Sequence, residues 1–216
     1  IWHKSRSSAS MDHHAIQDVV RGFDTNNNLY TSLTASETDY PNRGVINSVS
    51  STGFTFNENA SDYSTADGLN QNNSTFVAWN WLAGTAFSND ASATGVGTID
   101  SEGQVNATAG FSIIKYTGTG SNGTIAHGLS SAPEFLIVKE RSGTGQWSVQ
   151  STGLSAANKV VHLQSTAAEA TKADHFNSTF PTSTVFSVGT SGNTNGNTNT
   201  FIAYCFHSVE GYSKVG

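Results

Sequence analysis

The sequence predicts an all-β chain of two tandem β-sandwich domains, jelly-roll or lectin-like, the first lacking its opening strands. Three observations predict it. Apolar and polar residues alternate along short runs, as in strands with one buried face. Clusters rich in Gly, Asn, Ser and Thr separate those runs and supply the backbone angles of tight turns. One unusual phrase is written twice, as "FVAWNW" at 76–81 and "FIAYCF" at 201–206.

The second phrase belongs to a longer repeat. "IWHKSRSS" (1–8) matches "LIVKERSG" (136–143), placing Lys4 against Lys139 and Arg6 against Arg141. "NNLYTSLTASETDY" (27–40) matches "NKVVHLQSTAAEAT" (158–171), and Glu37 matches Glu169 with a shift of one place. "VSSTGFTF" (49–56) matches "PTSTVFSV" (181–188), and "NNSTFVAWNW" (72–81) matches "NTNTFIAYCF" (197–206). The blocks keep their order while the offset drifts from 135, between Lys4 and Lys139, to 125, between Phe76 and Phe201. Loops of unequal length between common strands produce that drift. The division expected is a first copy at 1–87, a polar linker at 88–108 and a second copy at 109–216.

The strands follow in order. "FSIIKYT" (111–117), "EFLIVKER" (134–141), "QWSVQST" (146–152), "KVVHLQS" (159–165), "VFSVG" (185–189) and "TFIAYCFHS" (200–208) each carry the period of two. "GTGSNG" (118–123), "SGTG" (142–145) and "SGNTNGNTN" (191–199) are the turns between them. Val77, Trp79 and Trp81 share one face of the first aromatic strand, and Phe76, Ala78 and Asn80 the other. That pattern reads as a central strand with both Trp in the core. Residues 88–108 are small, polar and nearly free of aromatics, hence the linker, with room for a short strand around Val96–Ile99. Segments 10–22 and 166–176 are candidates for a short helical turn.

Nothing before Ile1 corresponds to residues 110–135. The first copy is therefore expected to draw its opening strands from chain upstream of Ile1 or from a neighbouring subunit. The sheet edge beside residues 1–6 is the place to look. Ile1 is not Met and no signal-peptide pattern is visible, so a longer parent chain is expected.

Composition bounds the chemistry. The 216 residues suit one large all-β domain or two of roughly 100 residues. Hydrophobic residues make up 36% and aromatics 10%, so the core must be built from few, large side chains. Charged residues reach only 12%, and solubility falls to Ser, Thr, Asn and Gly. The net charge of −6, with 10 basic residues scattered singly, speaks against nucleic acid as a partner. Cys205 is the single cysteine, so no intrachain disulfide forms, and its apolar neighbours predict a buried thiol. No stretch approaches the ~20 apolar residues of a membrane span.

The segments "AGFSIIKYTGTGSNGTIAHGLSSAPEFLIVKERS" and "FIAYCFHSVEGYSKVG" resemble a repeated β-rich domain of uncharacterised marine bacteriophage (cyanophage-like) tail-fibre and virion structural proteins. Residues 1–87 resemble the same domain from "IWHKSRSS" through "FVAWNWLAG". The resemblance implies a structural part of a phage particle, displayed on its exterior and contacting host-surface glycans. It also implies partner virion subunits, with a homo-oligomer, a trimer for a fibre, as the assembly. The runner-up expectation is an architectural capsid-decoration or tail component without a ligand.

Candidate chemistry is sparse. Asp12, His13 and His14 are adjacent, and neighbours on a strand point to opposite faces, so no shared metal is expected. His127 in "AHGL" is expected to hydrogen-bond backbone at a Gly turn. His162, His175 and His207 show no Ser or Asp partner pattern in the sequence. The duplicated Glu37 and Glu169 read as structural acceptors. Lys4, Arg6, Lys139 and Arg141 read as edge-strand charges that block aggregation, or as the rim of an anion or sugar-acid site. No nucleophile elbow, P-loop or zinc-protease motif occurs, so no catalytic residue, cofactor or metal is expected. Trp2, Tyr63 and Trp147 are the aromatics expected to be exposed and to stack on a ligand such as a sugar ring.

Overall fold

The computed structural model describes residues 1–7, 13–23, 27–37, 45–56 and 74–215. The chain divides into two compact units, Ile1–Trp81 and Leu82–Gly216. Both are built from antiparallel strands, and the helices among the described residues are two single turns.

In the first unit, β1 (Trp2–Ser5), β2 (Ala15–Ile16), β3 (Leu29–Tyr30) and β6 (Phe76–Trp79) form one sheet in the order β3-β2-β1-β6. A second, two-stranded sheet joins β4 (Ile46–Val49) to β5 (Phe54–Phe56). Ala15, Tyr30 and Val45 form a small core, with Phe56 and Leu33 packed against it. Asp18 and Arg21 lock the β2–β3 connection. The Arg21 guanidinium reaches Asp18 Oδ2 at 2.6 Å, Glu37 Oε1 at 2.8 Å and the Ile16 carbonyl at 2.8 Å. The buried guanidinium thus meets two carboxylates and a carbonyl, which is what makes its burial tolerable.

The second unit holds an eight-stranded sheet. Its members are β7 (Thr85–Asn89), β8 (Ser101–Asn106), β9 (Phe111–Thr117), β11 (Phe135–Glu140), β12 (Ser148–Ser151), β13 (Lys159–His162), β14 (Ala170–Thr171) and β16 (Thr200–Phe206). They run in the order β14-β13-β12-β11-β16-β9-β8-β7. The separate pair β10 (Gly123–Ala126) and β15 (Val185–Val188) shares a core with one face of this sheet. Ile125, Phe186 and Val188 meet Ile114, Tyr116, Leu136, Val138, Phe201, Ala203 and Cys205 in that core. Each large side chain so buried contributes about 1.5–3 kcal/mol, and this one cluster joins sheet and ribbon. The other face is buried as well, at Ile113, Ile137, Val149, Ile202 and Tyr204. Hence the central strands read as nearly continuous apolar runs. The helical turns are α1 (Ala91–Thr94) and α2 (Gly192–Asn195), capped by Asp90 and Ser191.

The repeat read from the sequence reappears in the ladders. The order β3-β2-β1-β6 corresponds to β13-β12-β11-β16. In the first unit Lys4 faces Val77, His3 faces Ala78 and Trp2 faces Trp79. In the second, Lys139 faces Ile202, Val138 faces Ala203 and Ile137 faces Tyr204. The offsets are those of the sequence blocks. The next ladder sets Tyr30 opposite Ala15 and His162 opposite Ser148; Tyr30 and His162 differ by the same offset as Glu37 and Glu169, one more than that of the ungapped block at 27–40.

Several expectations are corrected. Residues 88–108 are no linker. They supply the last two residues of β7, all of α1 and all of β8; β8 pairs with β7 on one side and β9 on the other. The segment is polar because this flank of the sheet is largely exposed, and Gly103 sits where the Ile113 carbonyl leaves no space for a side chain. Ile99, in the stretch expected to be a short strand, forms an isolated parallel bridge to Ile125. Secondly, β1 and β11 are interior strands, each paired on both sides, so their lysines are not edge charges. Lys139 is fully buried, and its ammonium donates to the carbonyls of Glu140 and Gly143 at 2.6 and 3.2 Å. Thirdly, Trp79 and Trp81 are not core: they are 46% and 40% exposed. Trp79 ends a strand at the margin of its sheet. The segment 166–176 holds β14 and hydrogen-bonded turns in place of a helix, and the described part of 10–22 holds β2 and a turn.

Candidate functional site: a polar cleft at one end of the large sheet

Five neighbouring strands of the second unit end together. β7, β9 and β11 finish there, and β8 and β16 begin there. A cleft of about 420 Å³ opens along these ends. It is lined by Asp90 at the α1 cap, Asp100 and Glu102 around the start of β8, and Lys115 on β9. Arg141 after β11 and Thr200 at the start of β16 close the other side.

The acids are held in place. The Asp90 carboxylate accepts from the Ser92 hydroxyl at 2.7 Å and the Ala93 amide at 3.0 Å, and those bonds hold it below the usual carboxylate range. Asp100 accepts the Ala91 amide at 2.9 Å. Glu102 pairs with the Lys115 ammonium at 2.9 Å in a half-exposed bridge, a pairing that contributes little to stability. Arg141 is fixed through its backbone, which donates to the Thr200 carbonyl at 2.7 Å. Three carboxylates outweigh two cations, so the cleft does not suit an anion. It offers acceptors and donors at several heights, an arrangement that fits the hydroxyl groups of a neutral polyol. Of the side chains singled out in the sequence, only Arg141 stands here. Asp90, Asp100, Glu102 and Lys115 were missed because they fall in the supposed linker or on a strand with no motif.

The expected stacking aromatics do not converge. Trp2 is partly buried and tilts against Trp79, with ring centroids 5.9 Å apart. Trp147 is 0% exposed, which overturns its expected exposure. It sits just before β12, where both faces of the sheet are covered. Tyr63 lies outside the described residues. Within the cleft, Tyr116 is buried and its hydroxyl donates to the Thr194 carbonyl at 2.6 Å, so it presents no ring to a ligand.

The histidines are structural or paired locally. His127 receives the Leu129 amide on Nδ1 at 3.1 Å, so its proton sits on Nε2 and is donated to the Thr182 carbonyl at 3.1 Å. This is the backbone-bonding role expected of it, at a turn that Gly128 completes with φ +70°. Burial pushes its pKa down. His13 approaches the Ser32 hydroxyl at 3.2 Å and packs on Tyr30. His175 does have an acidic partner, Asp174 at 3.1 Å, and its ring lies 5.9 Å from that of His162, a neighbourhood the sequence did not reveal. Among the described residues no three His, Cys, Asp or Glu side chains gather as a metal site. Glu169 accepts from the amide and hydroxyl of Ser155, and Glu37 from Arg21, as structural acceptors do. Cys205 is buried in the core and its thiol is pushed up to about 12 by burial. No helix among the described residues is long and apolar enough to cross a membrane.

No curated protein and no solved structure shows a significant match. The family described as Domain of unknown function (DUF7483) matches residues 1–216, and the chain belongs to that family.

Proposed function

We propose that this chain is a non-enzymatic structural part of a phage particle. In this reading it forms two tandem β-sandwich modules of a tail fibre or similar exterior appendage, and attaches to host-surface glycans through the cleft of its second unit. The observation that carries the binding role is the cleft itself. Fixed carboxylates and cations stand at the common end of five strands, and each acid is committed to a cap, an amide or an ion pair. Groups so held can bind hydroxyls without exchanging protons, unlike the paired acid and base of a glycoside hydrolase. Low charge, abundant Ser, Thr and Asn and a repeated β unit support the extracellular, assembled setting. Appendage copies would add avidity to weak contacts, as linked sites bind at high effective concentration. Homo-oligomerisation, trimeric for a fibre, follows from the same reading.

A glycan array with the isolated chain and with intact particles tests it. Binding of a neutral glycan that falls at least about fivefold in Glu102→Gln supports the reading. Absence of binding at millimolar glycan by both preparations favours the alternative, an architectural capsid-decoration or tail component. Shortening of a polysaccharide on incubation with the chain would contradict the non-enzymatic assignment.

A further inference from the structure

We propose that the outer edge of β6 (Phe76–Trp79) is a docking site for an extended strand with the chemistry of β9. This partner segment carries a small polar residue, a branched aliphatic and an aromatic at alternate positions. In the second unit, β16 is flanked by β11 on one side and β9 on the other. In the first unit, the equivalent β6 is flanked by β1, and among the described residues no strand pairs with its other side. A β9-like strand would belong here, and not beside residues 1–6, whose strand is already paired on both sides.

The register identifies the groups that await it. The amide of Arg6 donates to the carbonyl of Thr75, and that of Arg141 to that of Thr200, both at 2.7 Å. Alternation along an antiparallel ladder then turns Val77 and Trp79 toward β1, and Phe76 and Ala78 outward. Their counterparts are Phe201 and Ala203. On the far side of β16 the Gly118 amide donates to the Asn199 carbonyl at 2.8 Å, and the same alternation bonds Phe201 to Tyr116 and Ala203 to Ile114. A strand on β6 would therefore set its aromatic opposite Phe76 and its branched aliphatic opposite Ala78.

Exposure and sequence agree. Phe201, Ile202, Ala203 and Cys205 are wholly buried, whereas Phe76, Val77 and Ala78 are only partly so and Trp79 is 46% exposed. Sheet margins are ordinarily protected by shortness, charge or polar side chains. The other margins of the two large sheets obey this. β3 and β14 are two residues long, and β7 reads "TAFSN". β6 reads "FVAW", an apolar edge without Lys, Pro or bulge.

The test adds a peptide of residues 110–118, GFSIIKYTG, to the full chain. Amide exchange is followed at Phe76 and Ala78, and binding by Trp79 emission. At saturation the outward amides slow by at least about tenfold, while those of Val77 change little. The same peptide with Ile114→Pro has no effect. Ala78→Pro in the chain removes an outward amide without touching the β1 ladder, and it abolishes the peptide's protection of Phe76. The proposal is overturned if the peptide protects nothing, if the proline peptide protects equally, or if Phe76 and Ala78 in the chain alone match the protection of Phe201 and Ala203. Protection that rises with chain concentration, peptide absent, would assign the edge to a second copy and also overturn it.

Discussion

The ring of Tyr116 lies flat on that of Phe201, with centroids 5.2 Å apart and planes 14° apart. This stack joins β9 to β16 within the larger core, near its cleft end. Phe76, in the place of Phe201, has no ring partner among the described residues. Phe201→Ala should therefore cost about 3–5 kcal/mol and Phe76→Ala about 1 kcal/mol. Urea unfolding, followed by amide exchange on the strands of each unit, reads the two costs separately.

The two lysines of the repeat bear unequal loads. The fully buried Lys139 ammonium caps two carbonyls at the turn after β11, whereas Lys4 is partly exposed. Lys139→Met should strip those carbonyls of a donor and cost about 2–4 kcal/mol. Lys4→Met should cost under about 1 kcal/mol. Equal losses in urea titrations would contradict the assignment.

His3 makes the first unit acid-sensitive. It is 2% exposed, packs edge-on against Phe56, and neither ring nitrogen has a hydrogen-bond partner. Burial lowers its pKa from 6.5 to about 4. As pH falls below 6.5, the unfolded chain takes up the proton first. Stability held above pH 6.5 is lost progressively down to about pH 4, by on the order of 3 kcal/mol. His3→Leu should remove that part of the acid slope from the first unit and raise its stability at pH 7. Urea midpoints of both chains at pH 7 and pH 4.5 check this.

Gly103→Ala distinguishes a woven segment from a free one. A methyl there would be driven into the Ile113 carbonyl oxygen of the neighbouring strand. With β8 seated in the sheet, the change should cost at least about 2 kcal/mol. In a free linker it would cost nothing. Thermal unfolding of the second unit measures the difference.

These results show what the sequence could and could not convey. The strand read at 111–117 is β9 residue for residue, and the runs at 134–141, 185–189 and 200–208 bracket β11, β15 and β16. They were legible because strands buried on both faces carry long apolar and aromatic runs. β7 and β8 were not, since apart from Phe87 and Val105, which pack on the core, their side chains are small or polar, and pairing there is carried by backbone. The cleft was illegible for a related reason. Its residues come from five strand ends, and only the ladder brings Asp100, Lys115 and Arg141 to one place. Trp79 misled because a large apolar residue signals burial, while among the described residues no strand covers the outer edge of β6. Lys139 misled in the opposite sense, since a charged side chain can be buried when local carbonyls receive it.

Cross-linking tests the shared register most directly. His3 faces Ala78, and Val138 faces Ala203, each at a non-hydrogen-bonded position where the chains come closest and a disulfide fits. In a Cys205→Ala background, a shared register predicts rapid disulfide formation in both His3→Cys/Ala78→Cys and Val138→Cys/Ala203→Cys. It predicts none in His3→Cys/Val77→Cys. Bridging of the shifted pair, with the His3 and Ala78 positions unbridged, would show that the two units do not pair their strands alike.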